Sequence, residues 1–198
     1  MENKETQLSA QESLRVIRET IDIAKNGFRE DGFHFLLWGW LVAIASFADW
    51  YLWTVARHPD HAKAWMIMAV VGVPVSMIRE WRLSKKVKNQ NVVRDWYGFV
   101  WLGFGISMLL IIPSAVMKNV SPVPFILAIT GMATFMSGIL LRFTALIIGA
   151  AVIWAGCLWC MFLPVEHHLL VQGFTAVLGY LVPGYLLNHQ ARKHVPGA

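Results

Sequence analysis

Six apolar windows divide most of this chain: Phe33–Ala56, Ala64–Ile78, Trp96–Met117, Val123–Leu141, Phe143–Leu163 and Leu169–Leu187. A bilayer core is crossed by about 20 apolar residues in a helix. Within hydrocarbon every backbone amide and carbonyl must be paired internally, which leaves helices and closed barrels as the spanning structures. The apolar runs here are continuous and do not alternate with period two, so a barrel is excluded. A soluble helical bundle would carry polar faces at helical spacing, yet Ala145–Leu163 holds no charge. With 57% hydrophobic and 15% charged residues, the expectation is an all-α polytopic membrane protein. Its six transmembrane helices would form three antiparallel hairpins, residues 33–78, 96–141 and 143–187.

Orientation follows from Lys and Arg near the span ends. Fourteen of the 17 fall before the first span, between the second and third, between the fourth and fifth, or after the sixth. Only Arg57, Lys63 and Lys118 lie on the other side. Both termini are therefore expected in the cytoplasm, with the protein in a bacterial inner membrane. Trp50, Tyr51, Trp53, Trp65 and Trp159 fall at expected outer ends, and Trp81, Trp96 and Tyr97 at inner ends, where amphipathic rings sit best. Three regions result: a cytoplasmic amphipathic helix over residues 1–31, a transmembrane domain over 32–188 and a cytoplasmic tail over 189–198.

The N-terminal region does not read as a signal peptide, because polar and amphipathic residues precede the first apolar run. Leu14, Ile17, Ile21, Ala24 and Phe28 share one helical face. Ser9 and Glu12 fit a capping box. This helix can lie on the inner leaflet or pack on the bundle ends. The stretch from Arg79 to Asp95 holds six Lys or Arg. It fits contact with lipid head groups, and equally the ordinary charge bias of a cytoplasmic loop. Membrane lipids are the expected partners, together with a second copy or another protein. Charge confined to the membrane surface, with no nucleic-acid module, argues against nucleic acid.

Small residues allow close helix approach in lipid. Ala145, Gly149, Gly156 and Cys160 form such a stripe, as do Thr130, Thr134 and Gly138, and Gly173, Ala176 and Gly179. The turn at Arg142 is short enough to make the fourth and fifth helices antiparallel neighbours. Pro74, Pro113 and Pro183 each remove a backbone hydrogen bond within a span. Asp31, Phe35, Gly39 and Trp40 match Asp95, Phe99, Gly103 and Phe104 at an offset of 64, a trace of internal repetition.

Three constellations could carry chemistry. Cys157 and Cys160 form a Cys-x-x-Cys pair whose placement resembles that of quinone-linked disulfide oxidases of membranes. Those enzymes pass electrons through a second cysteine pair, and this chain has only two cysteines, so small apolar packing is the competing role. His58, Asp60 and His61 in the first outer loop, with Glu166, His167 and His168 in the last, would supply imidazole and carboxylate ligands for a divalent metal if the loops meet. Solvated loops would look the same. Asp49 is an acidic residue inside a span and thus a functional candidate. Its position near the outer end also allows contact with interfacial water. No catalytic residues and no cofactor are expected. Nucleotide loops, hydrolase elbows and paired intramembrane carboxylates do not occur in the sequence.

The chain resembles an uncharacterised family of small bacterial six-helix membrane proteins. The resemblance rests on the Ser13-Leu14 to Ala24-Lys25 segment, Phe35-Leu36-Leu37-Trp38-Gly39-Trp40, Gly138 to Phe143, and Pro183-Gly184-Tyr185-Leu186-Leu187. It implies a fold and a membrane location and no activity. Hairpin count and glycine placement are also similar to those of bacterial acid-resistance membrane proteins built from three two-helix repeats. The leading functional expectation is a non-enzymatic scaffold, sensor or partner-binding component. The alternatives are a transporter or channel for a small solute or metal ion, and then a thiol-redox or lipid-modifying enzyme.

Overall fold

The computed structural model describes residues 32–86 and 92–193. The expected amphipathic helix over 1–31, the centre of the basic loop and the end of the tail lie outside these residues. Within them the chain is helical. Helix α1 spans Phe33–Trp50 and runs on through a π-helical turn, Tyr51–Val55. Then follow α2 (Lys63–Lys86), α3 (Val92–Met117), α4 (Val123–Leu140) and α5 (Thr144–Cys160). A 3-10 turn at Val165–His167 leads into α6 (His168–Ala176), which passes through a second π-helical turn, Val177–Leu181, into α7 (Val182–Lys193).

Five stretches are long and apolar enough to cross a membrane: Phe33–Val55, Lys63–Leu83, Asp95–Met117, Val123–Leu140 and Val165–His189. The fifth expected span, α5, is shorter at 17 residues. Its length is set by the turn at Leu141–Phe143, where Arg142 takes φ 51°, and by the break after Cys160.

The helices are not equivalent. The contact between α4 and α5 is the most extensive, α1 packs on α6 and its π turn, and α5 packs on the same turn. In contrast, α2 leans on α1 and α3 leans on α4. Only 6% of the apolar window of either α2 or α3 is buried, against 61% for the last stretch. Phe35, Thr134, Ser137, Leu146, Ile153, Ser46 and Cys160 fill the interior and are almost wholly buried. Thr134 and Ser137 donate to the carbonyls of Thr130 and Ala133 one turn earlier, so their hydroxyls are paired without water.

The small-residue stripes lie where helices cross. A Cβ on Gly149 would stand 2.5 Å from the Gly179 carbonyl oxygen. Pro183 has no N–H to offer that carbonyl, four residues back in the chain. The π turn and the bare Gly149 backbone together accommodate the carbonyl, and π turns inside helices commonly sit beside such adjustments. Pro74 and Pro113, in contrast, lie inside helices that continue past them. At the opposite edge, Gly32 takes φ 77° and abuts the Gly184 carbonyl, which ties the start of α1 to α7.

Two clasps fasten α2 to α1. At one end His34 Nε2 lies 2.9 Å from Glu80 Oε1, and the Arg79 guanidinium lies 4.0 Å from the centre of the Phe33 ring. The other clasp is built on Asp49.

Candidate functional site: a buried carboxylate beside an end cleft

Asp49 occupies the last turn of α1 and is 4% exposed. Both of its carboxylate oxygens have partners within the protein. His61 Nδ1–H donates to Oδ1 at 2.6 Å and Trp65 Nε1–H donates to Oδ2 at 2.6 Å. Bonds of this length to an ionised acceptor are the strong class, and they offset the cost of withdrawing a carboxylate from water. The sequence places the donors well. His61 ends the loop and Trp65 lies one turn on, at the start of α2, so both rings face the end of α1 across a short connection. Trp53 then lies parallel to the His61 ring, with centroids 5.6 Å apart and 15° between planes.

A carboxylate accepts and does not donate, so the Asp49 bond fixes the proton of His61 on Nδ1 and leaves Nε2 free as an acceptor in the neutral ring. His58 takes the opposite tautomer. Its Nδ1 accepts the Asp60 backbone N–H at 3.1 Å, which puts the neutral ring's proton on Nε2 as a donor. The two histidines of one loop therefore present opposite hydrogen-bonding faces.

Both histidines line a cleft of about 510 Å³ with Trp53, Thr54, Arg57, Pro59 and Glu166. The cleft is thus shared by the connection between α1 and α2 and by the 3-10 turn before α6, which contributes Glu166. Arg57 takes φ 49° at the point where the chain leaves α1. Among the described residues neither the Arg57 guanidinium nor the Glu166 carboxylate has a side-chain partner.

The other expected ligands go elsewhere. Asp60 pairs with Lys63 at 2.7 Å. His167 is exposed on the 3-10 turn. His168 is buried as a staple between loops: Ser121 Oγ–H donates to its Nδ1 at 3.0 Å, and its Nε2–H donates to the Leu163 carbonyl at 3.2 Å. Among the described residues no group of three or more His, Cys, Asp or Glu is placed to hold a metal ion. Both cysteines are free thiols. Cys157 donates to the Pro124 carbonyl at 3.2 Å, and Cys160 belongs to the apolar core.

Sequence reading singled out Asp49 and His61 separately and took Trp65 only as an interfacial ring. A carboxylate within an apolar helix needs donors, but Trp50, Trp53, Thr54, Arg57 and His58 lie nearer in the chain, so the pairing with His61 and Trp65 is set by the packing of α2 on α1 and has no signal in the spacing. No family model, curated protein or solved structure matches this chain.

Proposed function

We propose that this chain is a non-enzymatic, six-span membrane protein: a closed helical scaffold that presents a receptive cleft at one end, as a sensor or partner-binding component would. The observation that carries the reading is the gathering of charged groups at one end. Arg57, His58 and Glu166 line the end cleft, whereas the interior, among the described residues, is filled by packed side chains without a charge pair along it, its Thr134 and Ser137 hydroxyls bonded within their own helix and Ser46 Oγ and Gln172 Oε1 left as isolated polar atoms. A transporter would place such groups along a passage near midplane. Helix α5, at 17 residues, reaches about 25 Å at 1.5 Å per residue. That is the lower limit for a span, and packing between consecutive helices supports an arrangement as three hairpins.

The bias of fourteen Lys and Arg against three supports cytoplasmic termini and a cleft on the outer face of a bacterial inner membrane. The resemblance to small bacterial six-helix membrane proteins points the same way. The weakly buried α2 and α3 offer lateral surfaces to lipid or to a partner.

Cysteine access tests the closed interior. In a background lacking Cys157 and Cys160, single cysteines at Ser46, Thr134 and Ser137 should resist small thiol reagents from both sides of the membrane. A cysteine at His58 should react from one side. Ready labelling of the interior positions would replace the scaffold with a passage.

A further inference from the structure

We propose that the end cleft binds a phosphate–ammonium zwitterion, the chemistry of an ethanolamine phospholipid head group or of its free glycerophospho form. The proposal deepens the reading of a receptive end and rests on it. The cysteine-access experiment tests the interior and lipid selectivity tests the cleft, so failures of the two are read separately.

The lining holds groups for two opposite charges. Two are donors: the Arg57 guanidinium, a planar fork suited to phosphate, and His58, whose Nε2 is the donor of the neutral ring because the Asp60 amide holds its other nitrogen. Two are acceptors: the Glu166 carboxylate and, in the neutral ring, His61 Nε2, its other nitrogen being held by Asp49. A lone anion would leave Glu166 opposed to it, and a lone cation would meet Arg57. A ligand with both charges satisfies the whole lining.

The wall of the site around His61 is pre-formed. Asp49 is buried and holds His61 at 2.6 Å, His61 stacks on Trp53, and Trp65 locks the second carboxylate oxygen. A volume of about 510 Å³ lies within the usual range for small-ligand sites. Trp50, Trp53 and Trp65 partly bury their rings at this end, the level at which indoles meet head groups in a bilayer.

Binding is measured on the full-length protein in nanodiscs by native mass spectrometry, with phosphatidylethanolamine, phosphatidylcholine and phosphatidylglycerol of matched acyl chains. Phosphatidylethanolamine should be retained about tenfold over either other lipid, the worth of one lost charge-assisted hydrogen bond. The choline ammonium cannot donate to Glu166, and glycerol carries no cation. Arg57→Gln and Glu166→Gln should each lower retention by about tenfold. Arg57→Lys, which keeps the charge and loses the fork, should fall between the parent and Arg57→Gln, and Arg142→Gln, in a turn outside the cleft, should change nothing. Soluble glycerophosphoethanolamine displacing the lipid at equal concentration would identify the free compound as the ligand. Failure to displace it would identify the lipid. Equal retention of the three lipids, or folded Arg57→Gln and Glu166→Gln proteins indistinguishable from Arg142→Gln, would overturn the proposal.

Discussion

Replacing Asp49 with alanine removes the acceptor of two 2.6 Å hydrogen bonds at a site 4% exposed to solvent. A hydrogen bond to a charged group contributes about 1.5–3 kcal/mol, and breaking a buried pair by deleting one partner costs about 3–5 kcal/mol. The His61 ring can recover part of this, because its side chain is 32% exposed and water can reach it. Trp65 is half-buried and has less recourse. The expected cost of Asp49→Ala is therefore about 3 kcal/mol. Asp49→Asn should cost about half as much, since its carbonyl can still accept from Trp65 and its amide can donate to a re-tautomerised His61. That exchange moves the His61 proton to Nε2 and makes that nitrogen a donor. Stability is read from reversible unfolding in mixed micelles, and a cycle with His61→Ala isolates the coupling. If Asp49→Ala lies within about 0.5 kcal/mol of the parent protein, the range of an uninvolved surface substitution, the clasp does not bear on stability and the reasoning fails.

Three further outcomes are expected. Gly149→Ala should lose about 1–3 kcal/mol through overpacking, because its Cβ meets the Gly179 carbonyl, whereas Gly103→Ala on α3, with nothing within 4 Å, should gain up to about 1 kcal/mol of helix propensity. Thermal unfolding of the two variants side by side checks the sign. His168→Ala should cost about 1–3 kcal/mol, because the part-buried Leu163 carbonyl and Ser121 hydroxyl lose their shared partner, and Ser121→Ala should cost less; both are read from the same melts. Cysteines at Lys86 and Asp60, in a cysteine-free background, should label from opposite sides of intact cells. Labelling at Lys86 and not at Asp60 by an impermeant reagent would reverse the orientation.

Helix positions were legible because hydrocarbon imposes a simple length rule, and the five long spans follow it. The close-packing stripes were legible for the same reason: Gly149, Gly156 and Gly179 sit where neighbouring helices approach, as small residues must in lipid. The unequal burial of the helices was legible in part: the small-residue stripes fall on the fourth, fifth and sixth expected helices, and the windows of α2 and α3, which carry none, are only 6% buried. That α1 joins the centre was not legible, because apolar residues that face lipid and apolar residues that face protein read alike. At the cleft, residue types were visible and pairing was not. Asp49, His61 and Trp65 lie 12 and 16 residues apart, and only the angle between α1 and α2 turns that spacing into contact. His168 shows the converse. It follows His167 directly, yet one helical step turns it away from the loop and into Ser121 and Leu163.

The pairing of α1 with α6 sets a timetable for synthesis. The first span finds its largest partner about 130 residues later, a wait of roughly 7–26 s at about 5–20 residues per second. Through that interval α1 must remain in the bilayer carrying a carboxylate. Its two donors arrive within 16 residues, at the head of the next helix. The Asp49 clasp thus gives the nascent hairpin a paired acid before any tertiary core exists, and the four-helix centre can assemble later around a unit already fit for lipid.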